Sequence, residues 1–570
     1  MAIVHFINEG IDLEISAGET LLNAQIRAGL QPNAPCGGAG QCKKCLVEVR
    51  FSGDAVWQRV LACQTKPGTD VELRTICSER GAQVLTEGAA SADDFDPVIG
   101  IRSITVSPCA RGESTADWDR LCIALDAAFG RRTWQINLPL ASELGESVRD
   151  NDGHLTAVVC GDRVLDAHPG TRRHAMLAYD IGTTSVAAYL IDADDGSIPA
   201  RTGRLNPQRQ FGADVIARAN HALSGGMADL TTAIRTAMDE MAEQLCREAG
   251  LTRDDVYAAC AVGNSCMHHL LLGISPASLV RAPYNPAVSS ALVSDAAALG
   301  LHLHDNAPLL TLPVIAGFVG ADTVACLLAG HWENISELTL LIDIGTNGEI
   351  VLGDSKRRMA CSTAAGPAFE GAKISCGMRG ATGAVDRVRV ENGKIRWHVI
   401  GDGEPVGICG SGLVDLVAAL MTIGEIDESG RLQRGNEYRL GGSSVVLTQK
   451  DIREVQLGKA AICAGIRLMA KKLSIALGDI ARVTIAGAFG SSMNPESALT
   501  IGLLPGELRN VPIVAVGNAA GEGACMALRS RSAWQRSSTL AQETEFLELA
   551  TMPDFQDEFV DALEFGDEDE

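Results

Sequence analysis

Four cysteines near the N-terminus have a spacing that is typical of a metal centre. They follow the pattern Cys36-x5-Cys42-x2-Cys45-x17-Cys63, which contains the only CxxC motif of the chain. A [2Fe–2S] cluster takes three thiolates from one tight loop and a fourth from elsewhere. Zinc sites usually combine two CxxC-like pairs, and a thiol-redox pair would leave two cysteines without a role. The spacing predicts a [2Fe–2S] cluster, with zinc and structural thiols as alternatives and Cys77 as the rival fourth ligand.

A short motif occurs twice and predicts a pair of phosphate-binding turns. Residues 179–184 read YDIGTT and residues 342–347 read IDIGTN, each between two apolar strands. Glycine lets backbone N–H groups approach a phosphate, and hydroxyl groups add donors. A single such turn is weak evidence, because Asp–Gly turns are common in ordinary hairpins, but two copies favour nucleotide binding over paired structural turns. The residues assigned to the phosphates are Gly182, Thr183, Thr184, Gly345, Thr346 and Asn347.

Four acidic residues are candidates for the chemistry of phosphoryl transfer. Asp180 and Asp343 end the strands before the two turns, where a carboxylate can hold Mg²⁺ or its waters. Glu349 follows the second turn, and Asp322 follows the glycines of residues 317–320. One of these two is expected to orient the attacking water. An aspartate at a helix start is commonly only a cap, so the sequence does not choose between them.

Glycine-rich stretches mark further candidate contacts. Gly487, Ala488, Phe489 and Gly490 follow a predicted strand that begins at Val483, and adenine and ribose could lie against this nearly bare backbone. Residues 362–371, 408–413 and 516–523 are predicted to be turn-to-helix transitions.

A second group of sulfur and imidazole side chains is tempting as a metal site. Cys260 and Cys266 lie close in sequence to His268 and His269. Adjacent histidines point to different faces of a helix or strand, so they cannot easily bind one ion. Packing in the core is therefore the preferred interpretation.

The order of elements around these residues predicts five segments. A hairpin, a helix at residues 20–28, the cysteine loop and a strand at 46–51 form a ferredoxin-like arrangement. The predicted segments are a [2Fe–2S] domain (1–85), a linker and middle domain (86–172), a first ATPase lobe (173–335), a second lobe (336–540) and an acidic C-terminal tail (541–570).

The motifs together resemble a known family. The duplicated hairpin and the GAFG stretch at residues 487–490 resemble the acetate and sugar kinase–Hsp70–actin superfamily, and a ferredoxin domain fused to that fold resembles the reductive activators of corrinoid proteins. The stretches NPQ (206–208), VGN (262–264) and GFVGAD (317–322) are similar to the same family. The resemblance implies an α/β multidomain protein with a β-grasp ferredoxin-like domain, a small α/β middle domain and a two-lobed actin/Hsp70-like ATPase fold with duplicated subdomains.

The resemblance also implies a function. It indicates an ATP-hydrolysing iron–sulfur enzyme that passes electrons from its [2Fe–2S] cluster to a Co(II) corrinoid, regenerating Co(I) for methyl transfer. The expected partners are a corrinoid protein or corrinoid-dependent methyltransferase and an upstream donor, either a reductase or a ferredoxin or flavodoxin; the family resemblance also suggests a homodimer. Two alternatives remain: a non-hydrolysing iron–sulfur electron carrier with a nucleotide-binding scaffold, and a small-molecule kinase with a regulatory cluster.

Composition excludes several other classes. The chain has 570 residues, with 48 Lys and Arg against 71 Asp and Glu, so the formal charge of −23 argues against nucleic-acid and anionic-membrane partners. Seventeen cysteines are too dilute for a secreted disulfide scaffold. The N-terminus has no signal-peptide pattern, and the most apolar stretch, residues 307–330, is interrupted by proline and glycine. We therefore expect a cytoplasmic protein with no membrane span.

Overall fold

A computed structural model describes residues 2–30, 32, 34, 38, 40, 44–54, 56–75, 84–86, 95–110 and 112–566. Three of the cysteines discussed above, Cys36, Cys42 and Cys77, lie outside these ranges. The described chain forms an N-terminal β-grasp unit, a middle unit and two lobes that face each other across a cleft. No helix in these ranges is both long enough and apolar enough to cross a bilayer.

The N-terminal unit is a five-stranded mixed sheet with one helix. Its elements are β1 (Ala2–Phe6), β2 (Ile11–Ile15), α1 (Leu21–Arg27), β3 (Leu46–Phe51), β4 (Gln58–Leu61) and β5 (Val71–Thr75). The strand order is β2-β1-β5-β3-β4, in which only β1 and β5 are parallel. Helix α1 begins where the Thr20 side chain accepts a hydrogen bond from the N–H of Asn23. The core of this unit includes Cys45 and Cys63.

The middle unit is a three-stranded antiparallel sheet with two helices. Its elements are β6 (Ile99–Thr105), α2 (Asp117–Phe129), α3 (Leu138–Asp150), β7 (His154–Cys160) and β8 (Arg163–His168). Helix α3 was not expected from the sequence. It begins where the Asn137 side chain accepts a hydrogen bond from the N–H of Leu140, with Pro139 in its first turn.

The first lobe contains a six-stranded sheet of order β11-β10-β9-β12-β14-β13. Its strands are β9 (Ala175–Ile181), β10 (Ser185–Asp192), β11 (Ala200–Leu205), β12 (Val256–Gly263), β13 (Leu292–Asp295) and β14 (Pro308–Thr311). Its helices are α4 (Val215–His221), α5 (Met227–Ala249), α6 (Ser265–Leu272) and α7 (Ala321–Ala329), and one π-helical turn (Ala222–Gly226) joins α4 to α5.

The second lobe contains another six-stranded sheet, of order β24-β23-β15-β16-β17-β25. The strands of this half are β15 (Thr339–Ile344), β16 (Gly348–Gly353), β17 (Arg358–Thr363), β18 (Ala384–Glu391), β19 (Lys394–Val399), β20 (Gly407–Ile408), β21 (Glu437–Arg439), β22 (Val446–Thr448), β23 (Arg482–Ala486), β24 (Ile513–Gly517) and β25 (Thr544–Phe546). The helices are α8 (Gly410–Thr422), α9 (Gln449–Leu473), α10 (Gly487–Ser492), α11 (Pro495–Thr500), α12 (Ala519–Arg529), α13 (Arg531–Glu543) and α14 (Phe555–Asp561).

The two large sheets repeat one arrangement. Strands β11-β10-β9 and strands β17-β16-β15 are antiparallel meanders, and each is followed by two parallel neighbours, β12 and β14 in the first sheet and β23 and β24 in the second. The sequence motif that occurs twice therefore lies at equivalent places in two equivalent sheets. This is the duplicated two-lobed architecture that the resemblance implied.

Two helices cross at the base of the cleft. Helix α12 lies in the second half of the chain, after β24, yet it packs against α7 and the sheet of the first lobe and shares a core with Ala178 and Val262. A Cβ on Gly523 would come within 2.0 Å of the carbonyl oxygen of Ala325, so the helix backbones approach as closely as only glycine permits.

One local expectation is wrong. Helices α8 and α12 do begin in two of the three glycine-rich stretches, but residues 362–371 lead into turns instead of a helix. Gly366 and Gly371 there adopt positive φ values of 73° and 74°, which end any helical path.

The acidic C-terminal segment is folded as far as Gly566. Strand β25 pairs with β17, and α14 packs against α9. Phe565 is buried, and Lys459 Nζ donates to the carbonyl oxygen of Glu564. This segment is therefore part of the second lobe's packing up to that residue.

Candidate functional site

Two of the four predicted cluster ligands lie together at the end of the N-terminal sheet. The backbone N–H of Cys63 donates to Cys45 Sγ over 3.5 Å, and Gln64 Nε2 donates to Cys63 Sγ over 3.7 Å. Donors of this kind stabilise thiolate charge. Gly38 and Gly40 have positive φ, and a Cβ on Gly40 would come within 2.7 Å of the Gln64 side chain. The described residues fit a cluster held by thiolates in a glycine-rich loop.

A cleft of about 880 Å³ lies between the two lobes. It is lined by both predicted phosphate turns, by part of the GAFG stretch and by all four predicted acids. These lining residues are Asp180, Gly182, Thr183, Thr184, Asp322, Asp343, Gly345, Thr346, Asn347, Glu349, Gly487, Ala488 and Phe489. The fold thus brings together residues from both halves of the chain into one site that is large enough for a nucleotide.

The GAFG stretch contributes only its first three residues to this cleft. Gly487 has a φ of 83°, and a Cβ there would lie 2.9 Å from Asp343 Oδ1, so glycine is required for both conformation and space. The Phe489 ring packs against Phe369 with centroids 5.2 Å apart. Gly490 is buried instead against Ile485, whose Cγ2 a Cβ would approach to 2.3 Å. Its role is helix–strand packing rather than contact with a nucleotide.

The carboxylates face one another across strand ends and a helix start. Asp343 on β15 is directly opposite Glu349 on β16, whereas the equivalent partner of Asp180 in the first sheet is Ala187. Like charges directly opposite each other destabilise an antiparallel pair. Asp322 is the second residue of α7, and its Oδ1 accepts a hydrogen bond from the N–H of Thr323.

The protonation of this acidic group is strongly perturbed. Burial raises the pKa of Asp180 to about 6, and burial together with the charge of Asp180 raises the pKa of Asp343 to about 7. Burial and then the Asp343 charge raise the pKa of Asp322 to about 7. Burial and the charges of Asp322 and Asp343 raise the pKa of Glu349 well above its ordinary value. Each shift reports a cost of bringing negative charge into this cleft.

A divalent cation is the charge that would relieve this repulsion. Mg²⁺ usually keeps several waters and binds through one or two carboxylates and substrate phosphates. Across the described ranges, no three His, Cys, Asp or Glu side chains form a complete metal site. The donor set therefore fits Mg²⁺ that arrives with a polyphosphate, with Asp180 and Asp343 at the ends of the strands that lead into the two turns.

Three polar residues of the site were not identified from the sequence. Asn518 Nδ2 donates to Asp180 Oδ2 over 2.9 Å, and Asn264 Nδ2 donates to Thr183 Oγ1 over 2.9 Å. Glu370 accepts hydrogen bonds from a hydroxyl of each turn. Asn518 and Asn264 also cap helices α12 and α6, and a cap is the only role that their sequence positions indicate.

A short piece of chain after the N-terminal unit also lines the cleft. In residues 84–86, the carbonyl oxygen of Leu85 accepts a hydrogen bond from Asn518 Nδ2 over 3.2 Å. The carbonyl oxygen of Thr86 accepts another from Arg201 over 3.4 Å, and the Val84 side chain lies against Gly203. The amide that contacts Asp180 thus also contacts the connection from the cysteine-containing unit.

The cluster of Cys260, Cys266, His268 and His269 is part of the core. All four residues are buried. His268 Nε2 lies 3.2 Å from Thr311 Oγ1, and His269 Nδ1 lies 2.7 Å from the carbonyl oxygen of Ser265, so each ring has its own partner. Burial lowers the pKa of His268 to about 4. The geometry agrees with core packing.

The first prediction concerns the cluster, because two of its assigned ligands lie outside the described residues. Cys36→Ser, Cys42→Ser, Cys45→Ser and Cys63→Ser should each lose the visible absorbance of a [2Fe–2S] centre, since each removes one of four thiolates. Cys77→Ser is the matched control and should retain it. Iron analysis should give two irons per chain by cluster type. A colourless protein with one zinc, or loss of the cluster only in Cys77→Ser, contradicts the assignment.

The second prediction uses the raised pKa of Asp343. Between its ordinary value of 3.8 and about 7, the folded chain holds a proton that the unfolded chain has lost, so Asp343 destabilises the fold increasingly as pH rises through this window. Without Mg²⁺, Asp343→Asn should therefore gain melting temperature relative to the parent protein between about pH 4 and about pH 7. Thermal unfolding at several pH values measures this difference.

The exposed Asp305, which lies outside the cleft, provides the matched control. Asp305→Asn should not reproduce the gain in melting temperature of Asp343→Asn over this pH range. Adding Mg²⁺ with ADP near pH 8 should narrow the gap between Asp343→Asn and the parent, since the cation offsets the repulsion. A gap that is the same at low and high pH would contradict the interpretation of the acidic group.

Comparison with known proteins assigns consecutive parts of the chain to known families. Four family descriptions match consecutive parts: a 2Fe-2S iron–sulfur cluster binding domain (residues 5–68), the RACo linker region (89–174), the RACo middle region (175–334) and the C-terminal ASKHA domain of RACo (337–570). The chain thus combines a cluster-binding domain with a nucleotide-binding ASKHA fold.

Individual proteins agree with this assignment. The corrinoid activation enzyme RamQ of Eubacterium limosum is 34% identical over 98% of both chains. A [Co(II) methylated amine-specific corrinoid protein] reductase of Methanosarcina barkeri is 29% identical over 36% of this chain and 42% of its own. A solved structure of a reductive activator for corrinoid, iron–sulfur protein covers 100% of this chain and 99% of its own, with 32% identity and a TM-score of 0.76. On the full-length match in sequence and structure, the chain belongs to the family of reductive activators of corrinoid proteins.

Proposed function

We propose that this protein hydrolyses ATP to drive electrons from its [2Fe–2S] domain onto the Co(II) corrinoid of a partner protein, regenerating Co(I) for methyl transfer. The names of the two sequence relatives, a corrinoid activation enzyme and a Co(II) corrinoid protein reductase, support this function. The partner is a corrinoid protein or a corrinoid-dependent methyltransferase. A separate reductase, ferredoxin or flavodoxin supplies the electrons.

One observation carries the proposal. A single cleft contains two phosphate turns, four mutually repelling carboxylates and residues 84–86, which lead away from the cluster domain. Binding of Mg²⁺ and a nucleotide in this cleft would change the charge balance at a point that both lobes and the connection share. A two-lobed fold with helices crossing at its base is a suitable element for closure around a ligand.

Energetics explain why ATP is required. When bound, a plant-type cluster supplies one electron at a potential of about −400 mV. Co(I) corrinoids are very strong reductants, and each ~59 mV uphill costs a factor of ten in the equilibrium constant of a one-electron step. Unaided transfer would stall, so closure of the two lobes on ATP must favour the complex in which cobalt is reduced.

The chain's own residues have distinct roles in hydrolysis. The N–H groups of the two turns, with the hydroxyls of Thr183, Thr184 and Thr346, bind the phosphates. Asp180 and Asp343 would hold Mg²⁺ and its waters. We propose that Asp322 orients the attacking water and accepts its proton, because its pKa of about 7 suits a proton acceptor near neutral pH. The pKa of Glu349 lies well above its ordinary value, which favours a protonated group that supports Asp343.

The third prediction tests the function as a whole. With the purified protein, ATP turnover should rise when a Co(II) corrinoid protein is added, and the visible spectrum should show Co(I). Asp180→Ala and Asp343→Ala should lose both activities while their iron–sulfur absorbance is retained, because the cluster and the cleft are separate sites. Nucleotide binding without turnover, together with unchanged cobalt reduction, would instead establish the non-hydrolysing carrier.

The fourth prediction separates the two remaining acids. Asp322→Asn should lower ATP hydrolysis by ~10²-fold or more with nucleotide affinity kept, because it removes the proton acceptor. Glu349→Gln keeps the protonated shape of its side chain and should lower hydrolysis less than about tenfold. Steady-state turnover and equilibrium binding of a non-hydrolysable ATP analogue measure the two quantities. A larger loss of hydrolysis in Glu349→Gln than in Asp322→Asn would mean that Glu349 orients the attacking water.

Hydrolysis and electron transfer can be separated with the same variants. If hydrolysis drives the transfer, Asp322→Asn should slow formation of Co(I) in parallel with hydrolysis. An unchanged rate of cobalt reduction in a variant that no longer hydrolyses ATP would mean that nucleotide binding alone is sufficient.

A further inference from the structure

Glu370 joins the two phosphate turns. Its Oε2 accepts a hydrogen bond from Thr184 Oγ1 over 3.2 Å and another from Thr346 Oγ1 over 2.8 Å. Thr184 belongs to the first lobe and Thr346 to the second, so this one carboxylate oxygen links the lobes at the place assigned to the phosphates. The side chain lines the same cleft as the four acids.

The two hydrogen bonds that Glu370 accepts compete with nucleotide binding. Each threonine hydroxyl carries a single hydrogen, and both hydrogens are directed to Glu370. A phosphate oxygen that accepts from these hydroxyls must take both hydrogens from the carboxylate. The phosphate is also negatively charged, so the two acceptors repel each other. Glu370 therefore cannot keep both bonds while a phosphate uses the same donors.

A buried cation under the first turn favours one negative charge above it. Arg218 is fully buried, and its guanidinium donates to the carbonyl oxygens of Thr183 and Gly212. Burial lowers the pKa of Arg218 to about 9, and the charge of Glu370 is among those that oppose the shift. In the absence of a nucleotide, Glu370 provides this negative charge. A bound phosphate would replace Glu370 as its source.

The loop that follows Glu370 contacts the cysteine loop of the N-terminal domain. Lys44, which precedes Cys45, directs its Nζ to the carbonyl oxygens of Gly371 and Gly377, the latter at 2.7 Å. Gly371 and Gly377 pack against each other so closely that a Cβ on Gly377 would come within 2.3 Å of the Gly371 oxygen. The two carbonyls thus form one acceptor site for the ammonium group.

The far end of this loop is fixed to the second lobe. The N–H and hydroxyl of Ser375 both donate to Asp451 Oδ1, at 2.8 and 3.0 Å, and the N–H of Met378 donates to the carbonyl oxygen of Ile408 over 2.8 Å. The near end is held by a local turn, in which the N–H groups of Gly371 and Ala372 donate to the carbonyl oxygens of Ala368 and Pro367. Displacement of Glu370 would therefore be taken up in this turn, which includes the Gly371 carbonyl that accepts from Lys44.

We propose that Glu370 is a positioning residue through which phosphate binding in the cleft changes the contact between the second lobe and the iron–sulfur domain. Without nucleotide it links Thr184 to Thr346, and the adjacent loop holds Lys44. A bound phosphate accepts the hydrogen bonds of both hydroxyls and displaces Glu370. The resulting movement of Gly371 alters its contact with Lys44, which lies beside the cluster ligands. This inference rests on the proposed function, because it assumes that the cleft binds ATP. It adds the element through which nucleotide and cluster influence each other, and such influence must be reciprocal.

The test compares nucleotide affinity with cluster potential in the full-length, cluster-loaded protein. The probe is the Mg²⁺ complex of AMPPNP, with binding measured by calorimetry and the cluster midpoint potential measured with and without saturating probe. Glu370→Gln keeps both acceptor bonds but removes the charge, so it should bind AMPPNP about tenfold more tightly. Glu404→Gln, at an exposed position outside the cleft, is the matched control and should bind as the parent does.

The Lys44 variants test the second half of the inference. AMPPNP should shift the cluster potential of the parent protein, and Lys44→Met should lose this shift even if its starting potential differs. Lys44→Arg, which still donates to both carbonyls, should restore the shift, and Lys66→Met at an exposed position of the same domain should retain it. A merely structural Lys44 would change the starting potential and leave the nucleotide-induced shift intact.

The outcomes separate this inference from the proposed function. Unchanged or weaker AMPPNP binding by Glu370→Gln, no shift in the parent, or a shift that survives in Lys44→Met overturns the inference. If the parent still binds AMPPNP and reduces cobalt in those cases, the proposed function stands. A parent protein that binds no nucleotide overturns both.

Discussion

Repulsion among carboxylates in one buried cleft is the constraint on which the rest of this structure depends. Asp343 and Glu349 are direct cross-strand neighbours, and Asp180 and Asp322 face them from the other lobe. Burial raises the pKa of all four, and the negative charges of their neighbours raise the pKa of Asp343, Asp322 and Glu349 further. Such a group destabilises the lobes that hold it until a cation arrives, so the free energy of ligand binding is coupled to how the lobes are arranged. A fold optimised only for stability would not place these side chains together.

The duplicated sheets explain how the arrangement arises, and also where it is unequal. The two hairpins differ by one residue in the length of the turn, so the partner of Asp180 is Ala187 whereas the partner of Asp343 is Glu349. The second turn therefore has one acid more than the first. Phe369, Glu370 and Gly371 extend this asymmetry, since they connect the aromatic ring near Gly487, the turns and the cysteine loop within three successive residues. The second lobe thus provides the contact between the cleft and the cysteine loop.

Much of the site could be predicted from the sequence because its signals are local. The repeated turn, the CxxC loop and the four acids lie within short motifs whose chemistry is recognisable without knowledge of the fold. Asn518 and Glu370 could not be found in this way, since their partners Asp180 and Thr184 are distant in sequence and only the tertiary fold brings them together. The same holds for residues 84–86, which are chemically ordinary. Helix α3 was not predicted, and Gly490 was assigned to the nucleotide because it directly follows Gly487, Ala488 and Phe489, which do line the cleft.

The crossing of α12 over the first lobe has a consequence for biosynthesis. The core that contains Ala178 and Val262 also contains Ala524, Met526 and Leu528, so the first lobe is completed by residues that are translated after nearly all of the second. Domains generally fold in order as they leave the ribosome, and the N-terminal unit can do so here. One face of the sheet in the first lobe instead remains uncovered until α12 has been synthesised. The first lobe is thus begun long before the second but completed only shortly before it, because β25 and α14 of the second lobe follow α12 in the chain.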